Sequence, residues 1–190
     1  KKSYEVGELD HYLFGKGNHY EIYKKLGSHM IGGEEKKGVY FAVWAPHAKE
    51  VSVVGEFNQW DPQTNRMKRE EPLGIYTCFV PDVQEGALYK YCIKTYKGDY
   101  IYKADPFANY AELRPGNASK VVDISNMRWT DSKWMERRAV WDHHKEPMSI
   151  YEAHIGSWKR HPGREDEGFY TYREFAKAAV EYIKEMGYTH

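Results

Sequence analysis

Two hydrophobic periods alternate along this chain, and the change from one to the other divides it into segments. Between about residues 30 and 124 the period is two, as at Val39, Phe41 and Val43. Such a period is typical of strands with one buried and one exposed face. Roughly six or seven short runs of this kind, separated by Gly, Pro and Asn turns, predict a mainly β fold, an antiparallel immunoglobulin-like β-sandwich.

Before the predicted sandwich, the pattern is helical. Leu9–Phe14 ends at Gly15 and predicts a short helical turn, while residues 18–26 predict a second helix that stops at Gly27. We interpret residues 1–29 as a helical leader that packs on a larger domain and residues 30–124 as the sandwich.

After the sandwich, residues 125–147 form a charged linker with three tryptophans, which we expect to contact a domain interface. In residues 148–190, Ile150, Tyr151, Ala153 and Ile155 predict a buried strand. A capping box at Thr171 and Glu174 then opens an amphipathic helix. Its apolar stripe, expected to be buried, is Tyr172, Phe175, Ala176, Ala179, Val180, Ile183 and Met186. A strand, a helix and the first residues of a new strand predict the truncated start of a β/α-barrel.

The two cysteines lie in segments that predict a hairpin. Ile75–Val80 and Leu88–Thr95 flank the turn Gln84-Glu85-Gly86, and this register sets Cys78 opposite Cys92. Directly opposite cysteines form a disulfide only with unusual geometry. Two free thiols in a reducing compartment are the favoured interpretation, and a regulatory disulfide is the alternative.

Charge and motifs exclude several classes of partner. Lys+Arg and Asp+Glu both total 28, which gives no electrostatic reason for nucleic acid or an anionic membrane as partner. We expect a soluble cytoplasmic protein, because no apolar run approaches the ~20 residues needed to span a bilayer. Gly15-Lys16-Gly17 is too short for a phosphate loop, and His143-His144 lacks a third ligand at metal spacing. We therefore expect no cofactor and no metal.

Aromatic residues reach 16%, with 17 tyrosines, and they point to a ligand with flat apolar faces. Tyr and Trp suit stacking on sugars or bases, and the absence of basic excess favours sugars. Trp60 follows a predicted strand in a polar turn, Lys90 points outward from another strand, and Tyr100 follows a Gly-Asp turn. The alternative is that Trp60 plugs the end of the sandwich and Lys90 is simply solvated.

Four segments resemble carbohydrate-binding module family 48. They are Gly38–Pro46, Val51–Pro62, Leu88–Ile93 and Ala104-Asp105-Pro106-Phe107. The resemblance implies that Trp60 and Lys90 contact α-glucan. It also implies that Tyr100 takes the position of the second stacking residue, and Asn117 is the nearest match to the family's asparagine.

Tyr151–Trp158 is similar to the first barrel strand of the glycogen (1,4-α-glucan) branching enzymes, within the α-amylase superfamily. The resemblance implies a parent enzyme that cuts an α-1,4 glucan, holds it on a carboxylate and passes it to a 6-hydroxyl. Retaining chemistry of this kind needs two carboxylates about 5 Å apart. The family carries them on middle barrel strands, so no catalytic residue is expected in this chain. Glu152 is expected to have a structural role, and Asp166 is expected to lie in a solvated loop.

Two other functions remain open at this point. One is a stand-alone glucan-binding scaffold, and the other is a debranching or trehalose-forming enzyme with the same module, against which Gly156-Ser157-Trp158 counts. The expected partners are α-glucan (glycogen, amylose or maltooligosaccharides), the remainder of the barrel, and a second copy in a homodimer through the truncated barrel segment.

Overall fold

The computed structural model describes residues 4–33, 37–142, 144–164 and 168–190. The chain forms two compact units, Lys1–Met127 and Arg128–His190. In the part that is described, none of the helices has the length and apolar character required to cross a membrane.

The first unit is built from two antiparallel sheets. Its described residues form α1 (Glu8–Gly15) and the strands β1 (Gly27–Ile31), β2 (Gly38–Trp44), β3 (Glu50–Gly55), β4 (Lys68–Glu70), β5 (Ile75–Pro81), β6 (Leu88–Lys94), β7 (Tyr100–Lys103), β8 (Tyr110–Ala111) and β9 (Ser119–Lys120). One sheet has the order β1-β2-β5-β4; the other has the order β3-β6-β9-β8, with β7 also paired to β6. The prediction of an antiparallel two-sheet fold is confirmed.

The core lies between the inner faces of the two sheets. Phe41 of β2 packs with its ring centroid 5.0 Å from that of Tyr89 of β6, and both side chains are fully buried. Each such ring contributes on the order of 1.5–3 kcal/mol when removed from water. The other buried core residues include Val39, Val43, Val51, Val53, Tyr76, Val80, Tyr91 and Val121. Alternate residues of the strands supply this core, as the period of two predicts.

The leader covers the outer face of the sheet that contains β2. Leu26, which is 1% exposed, packs with Tyr40, Ala42 and Ile75 of that face. The predicted second helix over residues 18–26 is wrong, because only Ile22–Lys24 is helical, as one 3-10 turn. From Gly27 onward the chain must be extended so that β1 can pair with β2.

The predicted hairpin between β5 and β6 is also wrong. β5 pairs with β2, and β6 pairs with β3, so the two strands lie in opposite sheets. Cys78 therefore faces Phe41 and Cys92 faces Ser52, and both thiols are free, which leaves no support for the regulatory disulfide. Strands that each carry an apolar face can pack face to face as well as edge to edge, and local pattern does not distinguish these arrangements.

In the second unit, the helices are α2 (Ser132–Val140), α3 (Ile155–Trp158) and α4 (Tyr172–Glu185). The predicted capping box is confirmed: the Thr171 N–H donates to Glu174 Oε2 over 2.8 Å, and the Glu174 N–H donates to Thr171 Oγ1 over 3.3 Å. The predicted burial of the α4 stripe is realised mainly at Ala179, while Tyr172 is 80% exposed and Val180 49% exposed.

The segment before α3 differs from the predicted buried strand. Residues 149–154 have no strand assignment, Ile150 is 66% exposed and Ile155 begins α3. Even so, Ser149 O accepts the His190 N–H over 3.0 Å, and the Tyr151 N–H donates to His190 O over 2.8 Å. These two hydrogen bonds connect the segment to His190 but do not extend into a ladder, so the predicted strand does not form.

Candidate functional site

The turn after β3 presents a tryptophan. Asn58 holds the turn, because its Oδ1 accepts the Gly55 N–H over 2.9 Å and its Nδ2 donates to Val53 O over 3.0 Å. Gln59 and Trp60 both adopt left-handed backbone, with φ of 54° and 62°. Each such residue costs on the order of 1–3 kcal/mol, which the hydrogen bonds of the turn offset. The result is a Trp60 side chain that is 37% exposed.

The same turn folds over the outer face of the sheet that contains β6. Ser52 Oγ donates to Pro62 O over 2.6 Å, two residues after Trp60. Ser52 lies opposite Cys92 of β6, and opposite residues of antiparallel strands share a face. Trp60 is thereby tied to the outer face, away from the buried tyrosines of the core.

Lys90 and Asn117, both predicted as site residues, are brought together. Tyr89 and Tyr91 point into the core, so Lys90 between them points outward, opposite Val54. The Lys90 Nζ donates to Asn117 Oδ1, from the loop that precedes β9. A cation and an amide thus lie side by side, as hydroxyl recognition requires.

Tyr100 is on the same face but farther away. It lies opposite Lys94, whose Nζ is 5.8 Å from the centre of the Tyr100 ring. Lys94 is four residues from Lys90 along β6, a separation of roughly 13 Å. Tyr100 is therefore not in the immediate surroundings of Lys90.

Two further tyrosines extend the face, and neither was predicted as a site residue from the sequence. Tyr102 lies opposite Cys92, between the levels of Lys90 and Tyr100, and is 47% exposed. Hydrogen bonding to Cys92 and the negative charge of its thiolate form raise the pKa of Tyr102, and the carboxylate of Asp61, next to Trp60 in the chain, also contributes. Tyr110 of β8 is 57% exposed, and the Lys120 Nζ lies 5.8 Å from the centre of its ring. The spacing of two between Tyr100 and Tyr102 was the available signal.

We call this set the outer aromatic face. It comprises Trp60, Lys90, Tyr100, Tyr102, Tyr110 and Asn117. Rings with polar edges, a lysine and an amide on one side of a sheet can stack on the apolar faces of a sugar and hydrogen-bond its hydroxyls. The groups on this face suit binding, because none of its members is a carboxylate.

A buried carboxylate supports the face from inside. Asp105 Oδ2 accepts the hydroxyls of Tyr89 over 2.7 Å and Tyr91 over 3.1 Å, and Oδ1 accepts the Phe107 N–H over 2.8 Å. The Asp105 N–H donates to Ser119 Oγ of β9 over 2.8 Å. Burial raises the pKa of Asp105, while these hydrogen bonds oppose the rise. In the sequence, Asp105 stands out only as part of a motif, and no local signal indicates this role.

The other residues singled out from the sequence belong to the second unit. Glu152 is exposed in the segment before α3. Asp166 and His143 lie outside the described residues.

Known proteins are similar to this chain over nearly its whole length. The family model described as Carbohydrate-binding module 48 (Isoamylase N-terminal domain) matches residues 25–108. A 1,4-alpha-glucan branching enzyme GlgB of Butyrivibrio fibrisolvens is 55% identical over 185 residues, covering 97% of this chain and 29% of that relative. Another from Synechococcus sp. (strain JA-2-3B'a(2-13)) is 45% identical over 205 residues, covering 100% of this chain and 27% of that relative.

Among solved structures, a Klebsiella pneumoniae pullulanase complexed with maltotriose is 26% identical. The match covers 52% of this chain and 9% of the pullulanase chain, with a TM-score of 0.42. The chain spans 29% and 27% of the lengths of the two branching enzymes.

Proposed function

Because this chain belongs to the 1,4-alpha-glucan branching enzyme family, with a carbohydrate-binding module 48 over residues 25–108, we propose that it is the glucan-holding N-terminal portion of such an enzyme. The parent enzyme acts in the cytoplasm, where it cuts an α-1,4 glucan chain and transfers it to a 6-hydroxyl in glycogen synthesis. The two carboxylates of that reaction belong to the remainder of the barrel, of which residues 148–190 are the start.

The observation that carries the proposal is the outer aromatic face. Lys90 and Asn117 are hydrogen-bonded to each other, and Tyr102 and Trp60 are exposed on the same face. Glycogen, amylose and maltooligosaccharides present a row of pyranose rings, each with an apolar face and hydroxyl edges. Stacking on the rings and hydrogen bonding to the lysine and amide hold such a row along the sheet without cutting it.

The first experiment measures affinity for glucan. We expect Trp60→Ala to weaken binding of maltoheptaose about 10-fold, because the exposed indole is lost from the stacking surface. The measurement is isothermal titration of both proteins, backed by migration in gels that contain glycogen. Trp129→Ala is the matched control, since Trp129 is 77% exposed and lies in the other unit. Equal affinities of wild type and Trp60→Ala would count against the proposal.

The second experiment addresses catalysis. We expect amylose incubated with this chain to gain no α-1,6 linkages, because the proposal assigns the reacting carboxylates to the rest of the barrel. Linkages are counted by NMR after incubation, with an intact branching enzyme as positive control. A clear rise in α-1,6 linkages overturns the assignment.

The third experiment addresses association. We propose that, without the remainder of the barrel, the exposed side chains Ile150, Val180 and Met186 pair with a second copy. Exposed apolar faces and unpaired strand edges favour such pairing. Sedimentation velocity should show dimers that increase with concentration in wild type and decrease in Val180→Lys. A strictly monomeric wild type at high concentration contradicts this proposal.

A further inference from the structure

A cavity of about 440 Å³ lies at one edge of the sandwich, within the first unit. The leader, edge strand β1 and the chain after β9 enclose it. Its lining includes Tyr4, Tyr23, Ser28, His29, Asn109 and Asp123. None of these residues belongs to the outer aromatic face. The volume falls in the range of about 300–1,000 Å³ that is usual for small-ligand sites.

One part of the lining is aromatic. The Tyr4 ring stacks on the His29 imidazole, with centroids 4.7 Å apart and planes within 9°. The imidazole Nε2 lies 3.0 Å from Leu26 O, which fixes the ring. Tyr23 is 56% exposed on the leader side of the cavity. These rings supply flat apolar surface on parts of the chain that the fold holds in place.

The polar part of the lining lies across from β1. The amide of Asn109 and the carboxylate of Asp123 lie along the cavity. Ser28 lines it from β1, but its side chain is opposite Phe41 and points to the core, where its hydroxyl interacts with Tyr89. A ligand with hydroxyl groups would therefore hydrogen-bond to Asn109 and Asp123.

The charges around the cavity favour a neutral ligand. Lys24 is paired with Glu21, and Lys25 Nζ is 3.1 Å from Asp10 Oδ2. Burial lowers the pKa of His29, so its ring is neutral near neutral pH. An anion would therefore gain little attraction from these two paired lysines, and the carboxylate of Asp123 would repel it.

We propose that this cavity binds a neutral sugar, as a carbohydrate site separate from the outer aromatic face. A pyranose combines apolar C–H faces with hydroxyl groups around its rim. The faces match Tyr23 and the Tyr4–His29 stack, and the hydroxyls match Asn109 and Asp123. The site is small and enclosed on one side, so it suits the end of an oligosaccharide, whereas the outer aromatic face suits the middle of a chain.

The test uses maltotriose and the full 190-residue chain carrying Trp60→Ala, which weakens the outer aromatic face. We expect maltotriose to shift the backbone amide signals of Ser28, His29 and Asn109 in nitrogen-15 NMR spectra. Adding Tyr23→Ala should raise the dissociation constant for these shifts about 5- to 10-fold. Tyr20→Ala is the matched control, because Tyr20 is 86% exposed on the same leader and does not line the cavity.

The outcomes separate this inference from the proposed function. Shifts confined to the surroundings of Lys90 in wild type, with none at Ser28, overturn the cavity site and leave the proposed function standing. Shifts at Ser28 that persist in Trp60→Ala support the cavity site whatever happens at Lys90. No shifts anywhere contradict both. Inorganic phosphate that shifts the Ser28 signals where maltotriose does not would also overturn the inference, because the cavity would then be an anion site.

Discussion

Replacing Asp105 by alanine is expected to lower the free energy of unfolding by about 3 kcal/mol. The change leaves the Tyr89 hydroxyl without its acceptor in the core, and it leaves the half-buried Phe107 N–H without its acceptor as well. Tyr91 keeps a weaker partner, because its hydroxyl is 3.3 Å from Ala42 O. Each buried donor left without a partner costs about 1–3 kcal/mol, and relief from burying a carboxylate returns part of the sum.

Urea denaturation at pH 7 measures this effect. Asp99→Ala makes the same chemical change at an exposed turn position and should stay within about 0.5 kcal/mol of wild type. A loss at Asp105 no larger than at Asp99 would show that the three hydrogen bonds contribute nothing to stability.

The pH dependence of the same site has a definite sign. Burial holds the pKa of Asp105 above its ordinary value of 3.8. The folded state therefore favours the protonated form, so the contribution of this group is fully present below pH 3.8 and is lost as pH rises through the raised pKa. The stability of wild type relative to Asp105→Asn should decrease over that acid interval, and an increase there would contradict the sign.

Gly55→Ala is expected to cost about 2–3 kcal/mol of stability and to weaken glucan binding as well. A β-carbon at Gly55 would lie 2.3 Å from Leu88 O and 2.6 Å from the Phe57 ring. The backbone of β3 and β6 must separate to admit it. Because the Trp60 N–H donates to Gly55 O over 2.9 Å, the same movement displaces the indole from the outer aromatic face.

Thermal unfolding and titration with maltoheptaose measure the two effects on the same samples. Gly32→Ala is the control, since a β-carbon there meets nothing within 4 Å. If Gly55→Ala unfolds like wild type and binds maltoheptaose with equal affinity, the close approach of β3 and β6 has no consequence for the site.

Much of the site could be anticipated because a strand has a period of two. Tyr89 and Tyr91 flank Lys90 in β6 and point into the core. The alternation of side chains along the strand therefore points Lys90 outward. The capping box at Thr171 and Glu174 is also local, and it formed as expected. Interactions between residues three or four positions apart depend on the local sequence and not on which distant segments pair.

Pairing of distant segments could not be anticipated in the same way. The expectation that Cys78 faces Cys92 failed because β5 and β6 join different sheets, although their patterns fit a hairpin equally well. Tyr102 went unrecognised because its register with Cys92 determines its proximity to Lys90.

By itself, the sequence determined which residues of β2, β3 and β6 face the core, where α4 begins, and that Trp60, Lys90 and Asn117 were candidates for holding a sugar. Only the tertiary structure decided that Lys90 and Asn117 touch, that Tyr100 lies about 13 Å along the strand from Lys90, and that Asp105 joins two core tyrosines. The reason is physical: backbone geometry imposes the period of side chains within a strand, whereas the choice of neighbouring strand depends on the packing of the whole core.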